Sequence, residues 1–178
     1  MPRISFFTFF LISSFAVYAE WGKFEYEFDN EKSWIELQAQ LPHYPDDKNL
    51  LLFEVSTLSK NQFFVDAPSI SVGDDGVVRY SVVIKSPSGA KNVSFEGIRC
   101  STVENKIYAF GRNDGSWSKA TNAQWREINP SGNNAYAKIL YRDFFCPGLE
   151  IVRNSDEAIT ALKRGIHERA KSGSNGGD

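Results

Sequence analysis

The middle of the chain alternates apolar and polar residues with period two, and its last third repeats them with the period of a helix. Val77 to Lys85 is the clearest strand: Val78, Tyr80, Val82 and Ile84 fall on one face, with Arg79, Ser81 and Lys85 on the other. Leu50 to Val55 is an apolar run of strand length, and Phe63 to Val65 and Ile70 to Val72 are shorter candidates. Asn92 to Thr102 reads as the next strand. Its pattern changes phase at Gly97, with Val93 and Phe95 on one parity and Ile98 and Cys100 on the other, which predicts a β-bulge at the glycine. Ile107 to Arg112 is a third strand, and Ser116 to Ile128 a further strand pair or an ordered loop. The turns between them are expected at Asp74-Asp75-Gly76, Pro87-Ser88-Gly89, Glu104-Asn105-Lys106 and Asn113-Asp114-Gly115.

Helical spacing occurs at both ends. Trp34, Leu37 and Leu41 lie at i, i+3 and i+7, which predicts a short N-terminal helix capped by Asp29 or Asn30 and stopped by Pro42. Before it, Phe24, Tyr26 and Phe28 alternate along an extended stretch. Ala135 to Phe145 places Ala137, Leu140, Tyr141 and Phe144 on one helical face, and Cys146-Pro147-Gly148 ends it. A last helix capped by Ser155 carries the stripe Ile159, Leu162, Ile166. The expected class is α+β: an antiparallel β-meander sheet with a short N-terminal helix and two C-terminal helices packed on it.

The first nineteen residues stand outside that fold. Arg3 precedes an apolar, phenylalanine-rich run from Ile4 to Val17, followed by Val17-Tyr18-Ala19 with small or short residues at the positions a signal peptidase reads. The run is short for a membrane span, which needs ~20 apolar residues. The expected organisation is a signal peptide over 1–19 cut between Ala19 and Glu20, a single domain over 20–170, and a disordered tail over 171–178. No cysteine lies near the cut, so a lipid anchor there is not expected. Export puts Cys100 and Cys146, the chain's two cysteines, where thiols oxidise, and an even count favours a disulfide between them. Periplasmic location follows as the expectation.

Charge changes the picture only by exclusion. Lys+Arg 20 against Asp+Glu 22 leaves a net charge of −2, and loss of Arg3 takes it to −3. That balance gives no broad footprint for nucleic acid. With two histidines, His43 and His167, and both cysteines oxidised, no zinc spacing remains, so neither metal nor cofactor is expected. Asp74-Asp75 and Asn113-Asp114 lack the EF-hand ligand series and read as turns. There is no Gly-x-Ser-x-Gly elbow and no phosphate-cradling glycine loop. Asn92-Val93-Ser94 matches a glycosylation sequon by pattern, which would mean nothing if the chain is bacterial.

One constellation points to recognition. Arg99, Tyr108, Arg112, Trp117, Trp125 and Arg142 gather around the third strand, its hairpin and the disulfide. Arginines beside aromatics are what a surface uses to hold a carboxylate, phosphate, sugar or peptide. The competing reading is that the tryptophans fill the edge of the core and the arginines pair with Glu96, Asp114 or Asp143.

Several motifs carry a resemblance: Gly73-Asp74-Asp75-Gly76-Val77-Val78-Arg79-Tyr80, Asn92-Val93-Ser94-Phe95-Glu96-Gly97-Ile98-Arg99-Cys100, Tyr108-Ala109-Phe110-Gly111-Arg112 and Tyr141-Arg142-Asp143-Phe144-Phe145-Cys146-Pro147. Ser86-Pro87-Ser88-Gly89-Ala90, Asp114-Gly115-Ser116-Trp117, Leu41-Pro42-His43-Tyr44-Pro45 and Phe63-Phe64-Val65-Asp66 fit as well. In this order, from about Trp34 to Leu162, the chain resembles the cryptic neisserial protein-like family of exported bacterial proteins. The resemblance implies export and two cysteines and supplies no catalytic residue. Histidines that often precede the Tyr-Arg-Asp segment in that family are replaced here by Asn133-Asn134-Ala135-Tyr136, so any metal or acid–base role they carry would be missing. The leading expectation is a non-catalytic binding or interaction module of the envelope, with an envelope protein or a glycan as partner. The alternatives are a carboxylate-dependent hydrolase acting on glycan or peptide, and a purely structural envelope component.

Overall fold

The computed structural model describes residues 33–129 and 135–173. Within them the middle of the chain forms one antiparallel meander: β1 (Leu50–Phe53), β2 (Gln62–Val72), β3 (Val77–Lys85), β4 (Lys91–Arg99), β5 (Glu104–Gly111) and β6 (Trp117–Lys119), each hydrogen-bonded to the next. A short β7 (Arg126–Glu127) joins the same edge of β5 as β6, pairing Asn105 with Arg126. The C-terminal part is helical: α1 (Ala135–Ile139) runs into a π-helical segment Leu140–Phe145, followed by α2 (Ser155–Arg164) and α3 (Glu168–Gly173). The class is α+β.

β3 has the predicted boundaries, and its alternation sets the layers. Val78, Tyr80 and Val82, with Val65 of β2 and Ile98 of β4 in register beside them, face the helices. There Tyr80 packs on Phe145 at 5.0 Å between ring centroids, Phe53 on Phe144 at 6.1 Å, and Phe63 stacks on Tyr136 at 6.0 Å. Ala137, Leu140, Val152, Ala158 and Leu162 complete this core. Burying such side chains is worth about 1.5–3 kcal/mol each, which is why the amphipathic stripe of α1 and α2 settles on the sheet.

The helix ends differ in detail from the sequence pattern. Cys146 N donates to Tyr141 O at 2.8 Å, an i→i+5 bond that widens the last turn into a π segment. The wide turn delivers Cys146 to Cys100 at the end of β4, where the two form a disulfide with Cα atoms 5.6 Å apart. Asn154, not Ser155, caps α2: its side chain accepts from Glu157 N at 2.9 Å, and Ser155 is the first helical residue. Gly165 ends α2 in the left-handed region, so the expected single last helix breaks there and α3 follows. Lys171 to Gly173 belong to α3, and 174–178 lie outside the described residues.

Two expectations in the sheet and one before it are corrected. The turn between β4 and β5 is Cys100–Val103, tied by the disulfide and closed by Val103 at φ 56°, so Glu104 to Lys106 are strand. β4 pairs with β3 without a slip, and its change of phase reflects burial on both faces. The irregularity lies in the β4–β5 ladder: Phe95 opposes Ala109 while Glu96 opposes Ile107, so the unpaired residue is Tyr108 of β5. The predicted N-terminal helix is absent from residues 33–46, and its proposed caps Asp29 and Asn30 lie outside the described residues. Leu37 shows why. Its N–H donates to the Asp75 carboxylate at 2.9 Å and its carbonyl accepts from Arg79 at 2.9 Å, so both groups leave the intrahelical pattern.

Because the disulfide closes a 46-residue separation, the chain-entropy relation assigns it about 4 kcal/mol. Chemical denaturation with and without reductant should differ by about that amount. Coincident unfolding curves would contradict it.

Candidate functional site

The side of the sheet away from the helices is covered by an irregular strap, residues 34–46. Arg79 rises from β3 into a bidentate pair with Asp75 at 2.6 and 3.1 Å, almost fully buried. Trp34 Nε1 donates to the Asp75 carbonyl at 2.7 Å. Gly97 sits beneath Tyr108: a Cβ at this position would lie 2.8 Å from the Tyr108 hydroxyl, so only glycine leaves room for the ring. Glu36 then plugs the centre, accepting from Lys106 at 2.7 Å, Tyr108 at 2.8 Å and Trp125 Nε1 at 3.2 Å. Burial raises the Glu36 and Asp75 carboxyls, but hydrogen bonds from Lys106 to Glu36 and from Arg79 to Asp75 outweigh it and hold both below their ordinary range.

Four of the six residues singled out from sequence meet on this face. Arg99 lies 3.8 Å over the Trp34 ring. Trp125 packs edge-on against Trp34 and Tyr108, and Trp117 contacts Tyr44 and Phe95 and donates to the Pro42 carbonyl at 2.9 Å. Arg112 is exposed on the β5–β6 turn and donates to Ser118, and Arg142 pairs with its neighbour Asp143 on the helical side. The aromatic face is thus closed by the chain's own strap, with its indole and phenol donors already used.

The helix side is open at one end. A groove of about 790 Å³ runs beside β4, β5 and residues 120–126. Phe110, 49% exposed, lines it together with Tyr136 and Ser94. The side chains of Asn92, Asn113, Asn122 and Gln124 and the Arg126 guanidinium also line it, and make no hydrogen bond among the described residues. Among the described residues no Asp or Glu borders the groove, and its other cation, Lys91, shares Asp47 with Lys85 at 3.1 and 3.2 Å. Asn92 and Arg126 are polar residues at strand ends, where periodicity is weak, which is why pattern reading did not single them out.

Behind the groove wall lies Glu96, wholly buried and without a cation. Tyr80 donates to it at 3.1 Å, Tyr136 at 2.7 Å, and Ser94 also donates. Burial pushes its carboxyl up more than these three hydroxyls lower it. Ser94 and Tyr136 therefore serve both the carboxyl and the groove. A second cleft, about 740 Å³ between α2 and α3, is filled with paired charge: Glu157 accepts from Arg153, His167 and Arg169. The described residues hold no cluster of three potential metal ligands, and no helix among them is long and apolar enough to cross a membrane.

Comparison with known proteins places this architecture. A family model described as the CNP1-like family matches residues 29–163. The chain belongs to the CNP1-like family. The CNP1-like chain is similar to a relative from Neisseria gonorrhoeae (strain ATCC 700825 / FA 1090), "Cryptic neisserial protein 1", at 28% identity, with 62% of this chain and 62% of that relative covered. No solved structure matches. The family match covers the strap, all seven strands and most of α2, so the closed face and the open groove both lie inside the CNP1-like region.

The buried carboxyls carry opposite linkage. Glu36 is depressed, so its contribution is present above its unfolded value and lost as pH falls through the folded one; Glu96 is raised, so its contribution is full below its unfolded value and lost as pH rises. Glu36→Ala should cost about 1–3 kcal/mol near neutral pH by stranding three donors. Glu96→Gln should gain on the wild type as pH rises from the ordinary carboxylate range to neutrality. Thermal melts across that range check both, and parallel pH curves for Glu96→Gln and wild type would refute the second.

Proposed function

We propose that this chain is an exported envelope protein that binds a ligand in the amide-lined groove without converting it. The carrying observation is the convergence there of the Asn92, Asn122 and Gln124 side-chain amides and the Arg126 guanidinium, which have no partner among the described residues, with the exposed Phe110 ring. Surface side chains that already hold one another have little to offer a ligand, and the aromatic strap face is of that kind. Pockets that bind combine apolar contact with a few placed polar groups, which describes the groove. A carboxylate-dependent hydrolase needs two carboxyls facing one substrate, and the described residues of the groove lining carry none. Export rests on the charged, apolar and small-residue sequence of the first nineteen residues, and the disulfide suits an oxidising compartment.

Two measurements test this. The intact mass of the protein recovered from the envelope should correspond to a chain starting at Glu20; a full-length chain confined to the cytoplasm would refute export. A photo-crosslinking residue in place of Gln124 should capture a ligand in cells, while the same residue in place of Gln38 on the strap should not. Capture from Gln38 alone would overturn the site.

A further inference from the structure

Resting on the groove reading above, we infer that the ligand is a glycan bearing carboxylates. The chemistry of the lining selects it. Neutral side-chain amides both donate and accept, so Asn92, Asn122 and Gln124 match hydroxyl groups, which do the same. Phe110 is half exposed, and its ring offers an apolar platform for the C–H face of a sugar. Tyr136 is fixed at the groove wall by its bond to Glu96, which removes a rotor that a ligand would otherwise have to order.

Charge narrows the class. In a chain with net negative charge, the described residues on the border of this groove include cations and no acid. Lys91 shares the Asp47 carboxylate with Lys85, whereas the Arg126 guanidinium has no partner among the described residues. A planar fork of donors pairs bidentately with a carboxylate. Arg126 also has a fixed address, since β7 pairs it with Asn105 of β5. An unpaired guanidinium and a half-compensated lysine among neutral amides suit a polymer of hydroxyls with spaced acidic groups. An acidic peptide would place charge at every residue against amides that cannot neutralise it.

The test uses the full processed chain and acidic polysaccharide purified from the envelope of the producing cell. The same polysaccharide with its carboxylates amidated by carbodiimide is the comparison. Expected are binding to the native polymer, loss of about tenfold or more on amidation, a similar loss in Arg126→Gln, and a smaller loss in Arg126→Lys, which keeps the charge without the fork. Phe110→Ala should lose about fivefold or more. Both positions are exposed, so an unchanged circular dichroism spectrum should accompany the loss. Equal binding of native and amidated polymer, with Arg126→Gln unaffected, would overturn the acidic class. Binding of neither polymer would overturn the glycan altogether. Tetraglutamate binding in preference to the polymer would do the same. In these last two cases the Gln124 crosslink decides separately whether the groove binds anything.

Discussion

β3 and β4 bury both of their faces, and a sheet so placed has to be covered twice. Val78, Tyr80 and Val82 point one way, Val77, Arg79 and Ser81 the other, and all six are buried. The C-terminal helices cover the first side with aliphatic and aromatic contacts. The strap 34–46 covers the second by polar means, because Arg79 there is a charge that needs a partner when buried. Asp75, at the turn before β3, supplies that partner and also accepts from Leu37, so one carboxylate both neutralises the arginine and pins the strap.

The unpaired Tyr108 in the β4–β5 ladder divides the two sides. In a regular strand Tyr108 and Phe110 would share a face. With one residue left unpaired, Tyr108 turns to Glu36 under the strap while Phe110 pairs with Ser94 on the groove side. β-bulges often re-aim a side chain beside a site. Here the effect is to give one face its central donor and the other its exposed ring. The disulfide acts on the same strands from their far end, tying the β4–β5 turn to the π segment that packs beneath Tyr80.

Much of the sheet was legible because period-two alternation survives wherever one face is apolar, as in β3. It failed where polar partners replaced apolar ones. Trp34, Leu37 and Leu41 have helical spacing, yet the backbone of Leu37 is taken by Asp75 and Arg79, a long-range contact that local spacing cannot show. In β4 the phase change was real, but its cause was burial on both faces, with the irregularity on the neighbouring strand. Of the Arg/Trp constellation, Arg99, Tyr108, Trp117 and Trp125 do gather. Their partners, Trp34, Glu36, Tyr44 and the Pro42 carbonyl, come from the strap, part of which has helical spacing. Exposed amides at a strand end or in a loop carry no pattern of their own, and only folding brings Asn92 and Gln124 to one groove.

The division into a closed face and an open one is tested most directly by a backbone-amide NMR shift map of the processed chain, recorded before and after addition of the envelope polysaccharide. Shifts confined to β4, β5, β7 and residues 120–126, with the strap unmoved, are predicted. Shifts concentrated in residues 34–46 and around Tyr108 would contradict it, because the strap would then be a lid over the true site.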